Sequence, residues 1–300
     1  LELLGAEDAQ KVHVLSFSRL ANEGFRRYGG GAGKRLDDGG RILFMNLALS
    51  AVQDQLEFYR ASAAGGELAS LLLDVSTELK MCEVSPEKLG KTAGRLPQGA
   101  LSRKLQEVSL ILSAYDALVA RSFLDPLDDL TRVLPLLREH RFFQDAFVAV
   151  DSFSAFTVQE YQILRVILEQ SQETVVSLCT DSLHDEDGGT GLFSLVKDTA
   201  RRLRALARES GIPVAVPEIL PPGKRFHTSG LRLLEDNLYR AQRKTGEEQD
   251  CACIYRAANI YEEASFVSAT IRRLVMEQRF RYADFTVIAR DSDAYAGILD

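Results

Sequence analysis

The sequence has only four cysteines, Cys82, Cys179, Cys251 and Cys253. They are dispersed apart from one C-x-C pair, and no histidine stands beside that pair. A structural zinc site needs four ligands with paired spacing, so this pattern excludes one and reads instead as buried, reduced thiols in a cytosolic protein. A net positive charge is also missing. The net charge of −7 leaves no global basic field, so any nucleic-acid site must be a local patch. No apolar run approaches the ~20 residues that a membrane span needs, there is no signal peptide, and no internal repeat is visible. The chain opens on Leu1 rather than methionine and stops at Asp300, which reads as a fragment of something longer. What remains is an ordinary globular composition, 46% hydrophobic and 26% charged over 300 residues, enough for two domains.

Short valine-rich runs recur, each followed by a helical pattern. VHVLSF (12–17) precedes a helix through Arg27, AFVAV (146–150) one over 157–171, and TVVSLCT (174–180) one over 191–210. IPVAVPEIL (212–220), CACIYRAA (251–258) and FTVIAR (285–290) are further strand candidates. Runs apolar on both faces that alternate with helices predict an α/β fold with a parallel sheet covered on both sides. Residues 36–140 interrupt the alternation with apolar positions at helical spacing only, which predicts an inserted all-helical domain. Local signals agree. Thr157-Val158-Gln159-Glu160 is a capping box, Phe156 is placed to act as its hydrophobic staple, Asp125-Pro126 starts a helix, and Gly211 ends one. Pro221-Pro222-Gly223-Lys224 and KTGEEQD (244–250) read as loops.

YGGGAGKRLDD (28–38) superficially resembles a phosphate-binding loop. It fails the motif three times. Tyr28 stands where the first glycine belongs, Arg35 replaces the hydroxyl that holds magnesium, and the stretch follows a helix rather than a strand. It reads as a glycine-rich helix exit. FVAVDSF (147–153) is the better nucleotide signal. Asp151 ends an apolar strand, where a carboxylate can reach magnesium, although the next residue is Ser152 rather than the glutamate that hydrolysis wants. A plain turn carboxylate fits Asp151 equally.

Several segments resemble one family in its order along the chain. VLSFSRLANEGFRRYGG (14–30) is similar to the segment that follows the P-loop region in the B subunit of AddAB-type (RexAB-type) helicase–nucleases, bacterial double-strand-break repair machines related to UvrD-like superfamily 1 helicases. LKMCEVSPEKL (79–89), FVAVDSFSAFTVQEYQIL (147–164), GLFSLVKDTARRLRALARESGI (191–212), AANIYEEASFVSATIRRLV (257–275) and RYADFTVIARDSDAY (281–295) continue it. The family's glycine in V-D-G-F is Ser152 here, and its proline in T-P-Q-E is Val158. The resemblance implies a RecA-like, P-loop NTPase-like parallel core. It begins at 1–35 with the nucleotide loop upstream of Leu1, takes the helical insertion at 36–140, and resumes at 141–245. Residues 251–300 would start a second, truncated core domain.

The resemblance further implies a cytoplasmic, membrane-free subunit that pairs with an A subunit, meets single- and double-stranded DNA and scans the single strand for a recombination hotspot. The full-length relative would be an ATP-dependent exodeoxyribonuclease subunit. Mg and ATP would belong to the full-length protein, with no cofactor bound to this portion and no catalytic residue in it. The family's iron–sulphur cysteines would lie beyond Asp300, so Cys251 and Cys253 are not those ligands. The candidate DNA contacts are Ser16, Phe17, Ser18 and Arg19, leaving the first strand, and Phe153 at a second strand exit. The phenylalanines would stack on bases and Arg19 would meet phosphate or a base edge. Asp151 is the candidate Mg–nucleotide ligand. Phe17 as core and Ser18 as a helix N-cap are the structural alternatives. Arg201, Arg204 and Arg208 share a helix face with Arg202 beside it, which is either a basic contact surface or a solvated one. Glu262, Glu263 and Arg290 resemble a helicase pattern in the second core domain. Two other functions stay open: a nucleotide hydrolase using Asp151 and the Gly33-Lys34 loop, and a scaffold that docks only the A subunit.

Overall fold

The computed structural model describes residues 11–62, 66–183, 189–220, 226, 228–239 and 251–298. The loops expected at 221–224 and 244–250 lie outside the described residues. The chain divides into two compact units, 1–216 and 217–300.

The first unit contains two hydrophobic cores. One is built by helix α1 (Phe17–Tyr28), helix α6 (Asp129–Glu139), strand β3 (Phe147–Val150), helix α7 (Val158–Gln170) and helix α8 (Ser194–Glu209). Its centre is Ala21, Val133, Leu137, Ile163 and Val166, none of them exposed to solvent. Strand β4 (Glu173–Val176) pairs with β3 in parallel, Phe147 opposite Glu173 and Val150 opposite Val176. Side chains alternate along the pair. Val148, Val150 and Val176 join the core, while Phe147 and Val175 stand out on the other face, 70% and 55% exposed.

The second core belongs to helices α2 (Asp38–Val52), α3 (Gly66–Met81) and α5 (Ala100–Val119), with the shorter α4 (Pro86–Ala93) packed on α5. Met45, Leu49, Ile111 and Tyr115 are fully buried in it. The way in and the way out of this helical module run side by side. Lys34–Arg35 (β1) and Phe123–Leu124 (β2) pair in parallel, and the Leu36 N–H donates to the Leu124 carbonyl at 3.0 Å.

Local signals act as their chemistry dictates. The Thr157 hydroxyl accepts the Glu160 N–H, and the Glu160 carboxylate accepts the Thr157 N–H at 2.7 Å. Phe156 packs on Tyr161 with ring centroids 5.6 Å apart, closing the hydrophobic staple. Gly211, at φ +70°, ends α8, with Ile212 N–H on the Ala207 carbonyl and Gly211 N–H on that of Arg208. Three expectations are corrected. Helix α1 starts earlier than a Ser18 cap allows, because the Ser16 hydroxyl accepts the Arg19 N–H at 3.3 Å. The cysteines are not buried, since Cys82, Cys179 and Cys253 are exposed and Cys251 is half-exposed. Residues 12–16, 212–220, 251–258 and 285–290 carry no strand, because a valine-rich run becomes a strand only when a neighbour takes up its backbone N–H and C=O groups.

The second unit carries helix α9 (Ser229–Asn237) and helix α10 (Ile260–Gln278), the latter capped by Asn259 accepting the Glu262 N–H at 2.9 Å. Tyr255 stacks on Phe266 at 3.6 Å. Among the described residues no helix is long and apolar enough to cross a membrane.

Candidate nucleic-acid interface

The carboxyl end of the β3–β4 pair is where two chain segments turn outward together. The Ser177 N–H donates to the Val150 carbonyl at 3.0 Å, which extends the pairing to the edge. Beyond Val150 the chain turns sharply at Ser152, whose φ of +67° is the left-handed conformation that glycine adopts without penalty. That turn sends Phe153 and Phe156 back over the end of α1. Phe17 meets Phe153 edge-on at 5.5 Å and Phe156 edge-on at 6.2 Å, and Phe153 lies 5.0 Å from Phe156. The Thr199 hydroxyl of α8 donates to the Ser154 carbonyl at 2.8 Å and pins the loop. Phe17 and Phe153 are half-buried and pack against the edge of the first core, as the structural alternative for Phe17 expects, while Phe156 is buried at 9%.

The five expected DNA contacts are therefore only partly brought together. Phe17 and Phe153 touch. Ser16 is exposed and caps α1, and Ser18 is exposed on its first turn. Arg19 is exposed too, but two helical residues place it roughly 200° around α1 from Phe17. It faces away from the ring cluster, not into a shared groove.

Asp151 sits on the same edge, exposed. The Ser177 hydroxyl donates to one carboxylate oxygen and the Ser152 hydroxyl to the other at 3.2 Å. These hydroxyls, Ser177 first, hold its carboxyl below the usual aspartate range. Among the described residues it belongs to no group of three or more His, Cys, Asp or Glu placed to hold a metal ion. Mg²⁺ takes one or two carboxylates together with substrate phosphates. Asp151 supplies one carboxylate, so these residues do not make a magnesium site by themselves. Lys34 lies in strand β1, after a helix and a glycine turn, which is the reverse of the strand–loop–helix order that cradles phosphate.

On α8, Arg201 and Arg202 both pair with Asp198, the latter at 2.7 Å, and Arg204 is half-buried. Lys197 is buried against Asp181 at 3.1 Å. In the second unit Glu262 accepts the Ala258 N–H at 2.8 Å and the Tyr255 hydroxyl at 3.2 Å, and Glu263 accepts the Tyr295 hydroxyl at 2.7 Å. Both glutamates serve the start of α10 and its neighbours; Arg290 is exposed.

Two polar centres escape sequence reasoning. Lys80 reaches Asp128 at 2.8 Å, Asp125 at 2.9 Å and Asp116 at 3.6 Å. Burial opposes its charge, but the carboxylates of Asp128 and Asp125 outweigh burial and push the Lys80 ammonium up. Burial pushes the Asp116 carboxyl up in spite of Lys80, and the Tyr115 phenol, 3.4 Å from Asp125, up to about 12. Lys80 belongs to the LKMCEVSPEKL stretch, so the motif is visible in the sequence although its partners are not. Glu107 is the second centre. Its buried carboxylate accepts the consecutive N–H groups of Glu57, Phe58 and Tyr59 at 2.9, 2.8 and 3.0 Å.

The chain matches the family described as ADDB, N-terminal, over residues 1–235. It is 30% identical over 305 residues to the B subunit of the ATP-dependent helicase/deoxyribonuclease of Acetivibrio thermocellus, covering 100% of this chain and 27% of that relative. It is 31% identical over 300 residues to the protein of the same name from a Thermoanaerobacter species, covering 98% of this chain and 26% of the relative. The proteins of that name in Clostridium novyi and Clostridium tetani are 29% and 28% identical over 292 and 308 residues. The chain thus spans about a quarter of the length of the curated relatives it matches. With the family's model matched over residues 1–235, this chain belongs to the ADDB family and carries its N-terminal region.

Proposed function

We propose that this chain is the helicase-like, motor-inactive, DNA-engaging part of a heterodimeric helicase–nuclease in double-strand-break repair. In this reading it is built on a RecA-like parallel core with an inserted helical module. It works in the cytoplasm alongside an A subunit, takes up the single strand released from duplex DNA, and reads a recombination hotspot in it. Family membership supports the setting. The observation that carries the reading is the contact of Phe17 and Phe153, two half-buried aromatic residues at the carboxyl end of a parallel strand pair, where ligands gather in such sheets. A base stacked on either ring contributes about 1–3 kcal/mol regardless of its identity. Arg19, on the other side of α1, then meets phosphate rather than the same base. The motor-inactive part is supported by Ser152, which stands where hydrolysis wants an acid. Mg–ATP held by the full-length protein, with Asp151 as its candidate ligand here, needs phosphate-binding groups beyond these residues, and no step of the reading runs through it.

The test uses the complete heterodimer carrying Phe17→Leu and Phe153→Leu, which keep apolar volume and so preserve the core. Hotspot-dependent processing should fall about 5-fold or more while unwinding stays normal. Unchanged hotspot response in a folded double variant overturns the reading, and subunits that come apart assign these rings to docking instead.

A further inference from the structure

At the far end of α1, about 16 Å along the helix axis from Phe17, a second aromatic group emerges, separate from the Phe17–Phe153 cluster. Helices α1 and α6 pack closely. Gly24 faces Val133 and Leu137, and a Cβ added there would lie 2.5 Å from Val133. The close approach brings the two helix ends together. Tyr28 closes α1 and His140 caps α6, and their rings stack 4.1 Å apart at an interplanar angle of 9°. Phe142 supports the stack edge-on to Tyr28 at 6.2 Å, with the Arg27 guanidinium over its face at 4.9 Å. His140 is exposed, so a third flat ring can extend the stack.

The surroundings are basic, in contrast to the net negative chain. Arg26 and Arg27 share the single carboxylate of Glu23, each at 2.6 Å. Arg138 and Arg141 flank His140 in the sequence and are exposed, with exposed Glu139 and Asp145 as the opposing charges in the same stretch. Arg141 follows His140 directly. It follows α6 at φ +47°, with its N–H on the Arg138 carbonyl at 3.3 Å and the Phe142 N–H on the Leu137 carbonyl at 3.1 Å. That is the helix-ending motif that glycine fills best, because a left-handed residue with a side chain is strained. An arginine there costs stability, as Arg279 does where it ends α10 at φ +60°, and it is the place of Arg141 next to the exposed His140 ring that sets it apart.

We infer that Tyr28, His140, Arg138 and Arg141 form a second single-stranded nucleic-acid contact, in which a base stacks on His140 and the two arginines meet adjoining phosphates. The inference rests on the reading that this chain engages a single strand, and adds a contact at the opposite end of α1. Histidine is among the rings that proteins use to stack unpaired bases.

The experiment titrates the 300-residue chain with fluorescein-labelled oligothymidine by anisotropy at several salt concentrations, alongside thermal unfolding. Arg141→Gly should hold or raise Tm while weakening binding, with the slope of log affinity against log salt shallower by about 0.7, the value of one lost single-strand phosphate contact. His140→Ala should weaken binding about 5-fold or more with little change in that slope. Affinity unchanged in both variants overturns the inference, as does an Arg141→Gly variant that loses stability, which would make the arginine structural. The Phe17→Leu/Phe153→Leu pair separates the two sites. Binding lost only in that pair leaves the first reading standing and removes this one, the reverse removes the first and keeps this one, and a wild-type chain that binds nothing removes both.

Discussion

Replacing Lys80 by methionine deletes one ammonium and leaves its chain length in place. Three carboxylates then lose their common partner. Asp116 and Asp128 have side chains 40% exposed and can turn toward water, so their share of the cost is small. Asp125 cannot, since its side chain is 1% exposed. It keeps the Leu127 N–H at 3.0 Å and the Tyr115 hydroxyl at 3.4 Å, with the Arg41 Nε at 4.0 Å and without a hydrogen bond among the described residues. Removing one member of a buried pair costs about 3–5 kcal/mol, and these remaining donors place the loss at about 3 kcal/mol. With a urea dependence of about 2 kcal/mol per molar, the midpoint falls by about 1.5 M. The chain has no tryptophan, so its 9 tyrosines, Tyr115 among them, report the transition by fluorescence, with far-ultraviolet circular dichroism as the second probe. Adding Asp125→Asn should restore at least half the loss, because the orphaned charge goes with it. The pH dependence has a definite sign. Lys80 is raised in the fold, so its contribution is complete below the ordinary lysine value of about 10.4 and disappears only as pH rises through the higher folded value. A loss below about 1 kcal/mol, typical of exposed pairs, would refute the picture of a buried ionic anchor.

Glu107→Gln keeps the shape of the side chain but loses its charge and one acceptor oxygen, and should cost about 2 kcal/mol in the same urea assay, with faster hydrogen exchange at the amides of residues 57–59. Although burial opposes ionisation of Glu107, the three amides hold its carboxyl below the usual range. Its contribution is therefore present above the ordinary glutamate value and lost as pH falls through the lowered one. Thr157→Ala removes one half of the capping box and should lower stability by about 1 kcal/mol, seen as a lower Tm with unchanged far-ultraviolet signal.

What the sequence discloses is the chemistry that acts over a few residues. The Thr157–Glu160 box, the Phe156 staple, the Gly211 helix end and the AFVAV strand all depend on neighbours within about one helical turn, or on side-chain alternation. The Lys80 cluster depends on partners 45 and 48 residues away, and the Glu107 nest on amides about as distant, so no local pattern announces either. The crest is half legible. A strand-terminal Asp-Ser-Phe locates Phe153, and the valine-rich run before Phe17 locates α1, but whether Arg19 joins the rings depends on helical phase. With the cap at Ser16 rather than Ser18, residue 19 is already inside the helix and turned away. Strand runs are legible as apolar segments and not as paired strands, because pairing is a property of the neighbour. The patch around His140 is hidden for the same reason, since Tyr28 and His140 meet only because Gly24 lets two helices approach.

The parallel pairing of Lys34–Arg35 with Phe123–Leu124 makes the helical module a side branch with its two stalks tied together. Neighbouring strands stand only about 4.8 Å apart, so whatever lies between the stalks can grow, shrink or be exchanged without moving the sheet on which the chain resumes at Phe147. The neck is fastened to the rest of the unit at two points: the Arg35 guanidinium is tied to Asp129 at 2.7 Å and to Asn22 at 2.9 Å, and Lys80 of α3 reaches Asp128, where α6 begins, at 2.8 Å.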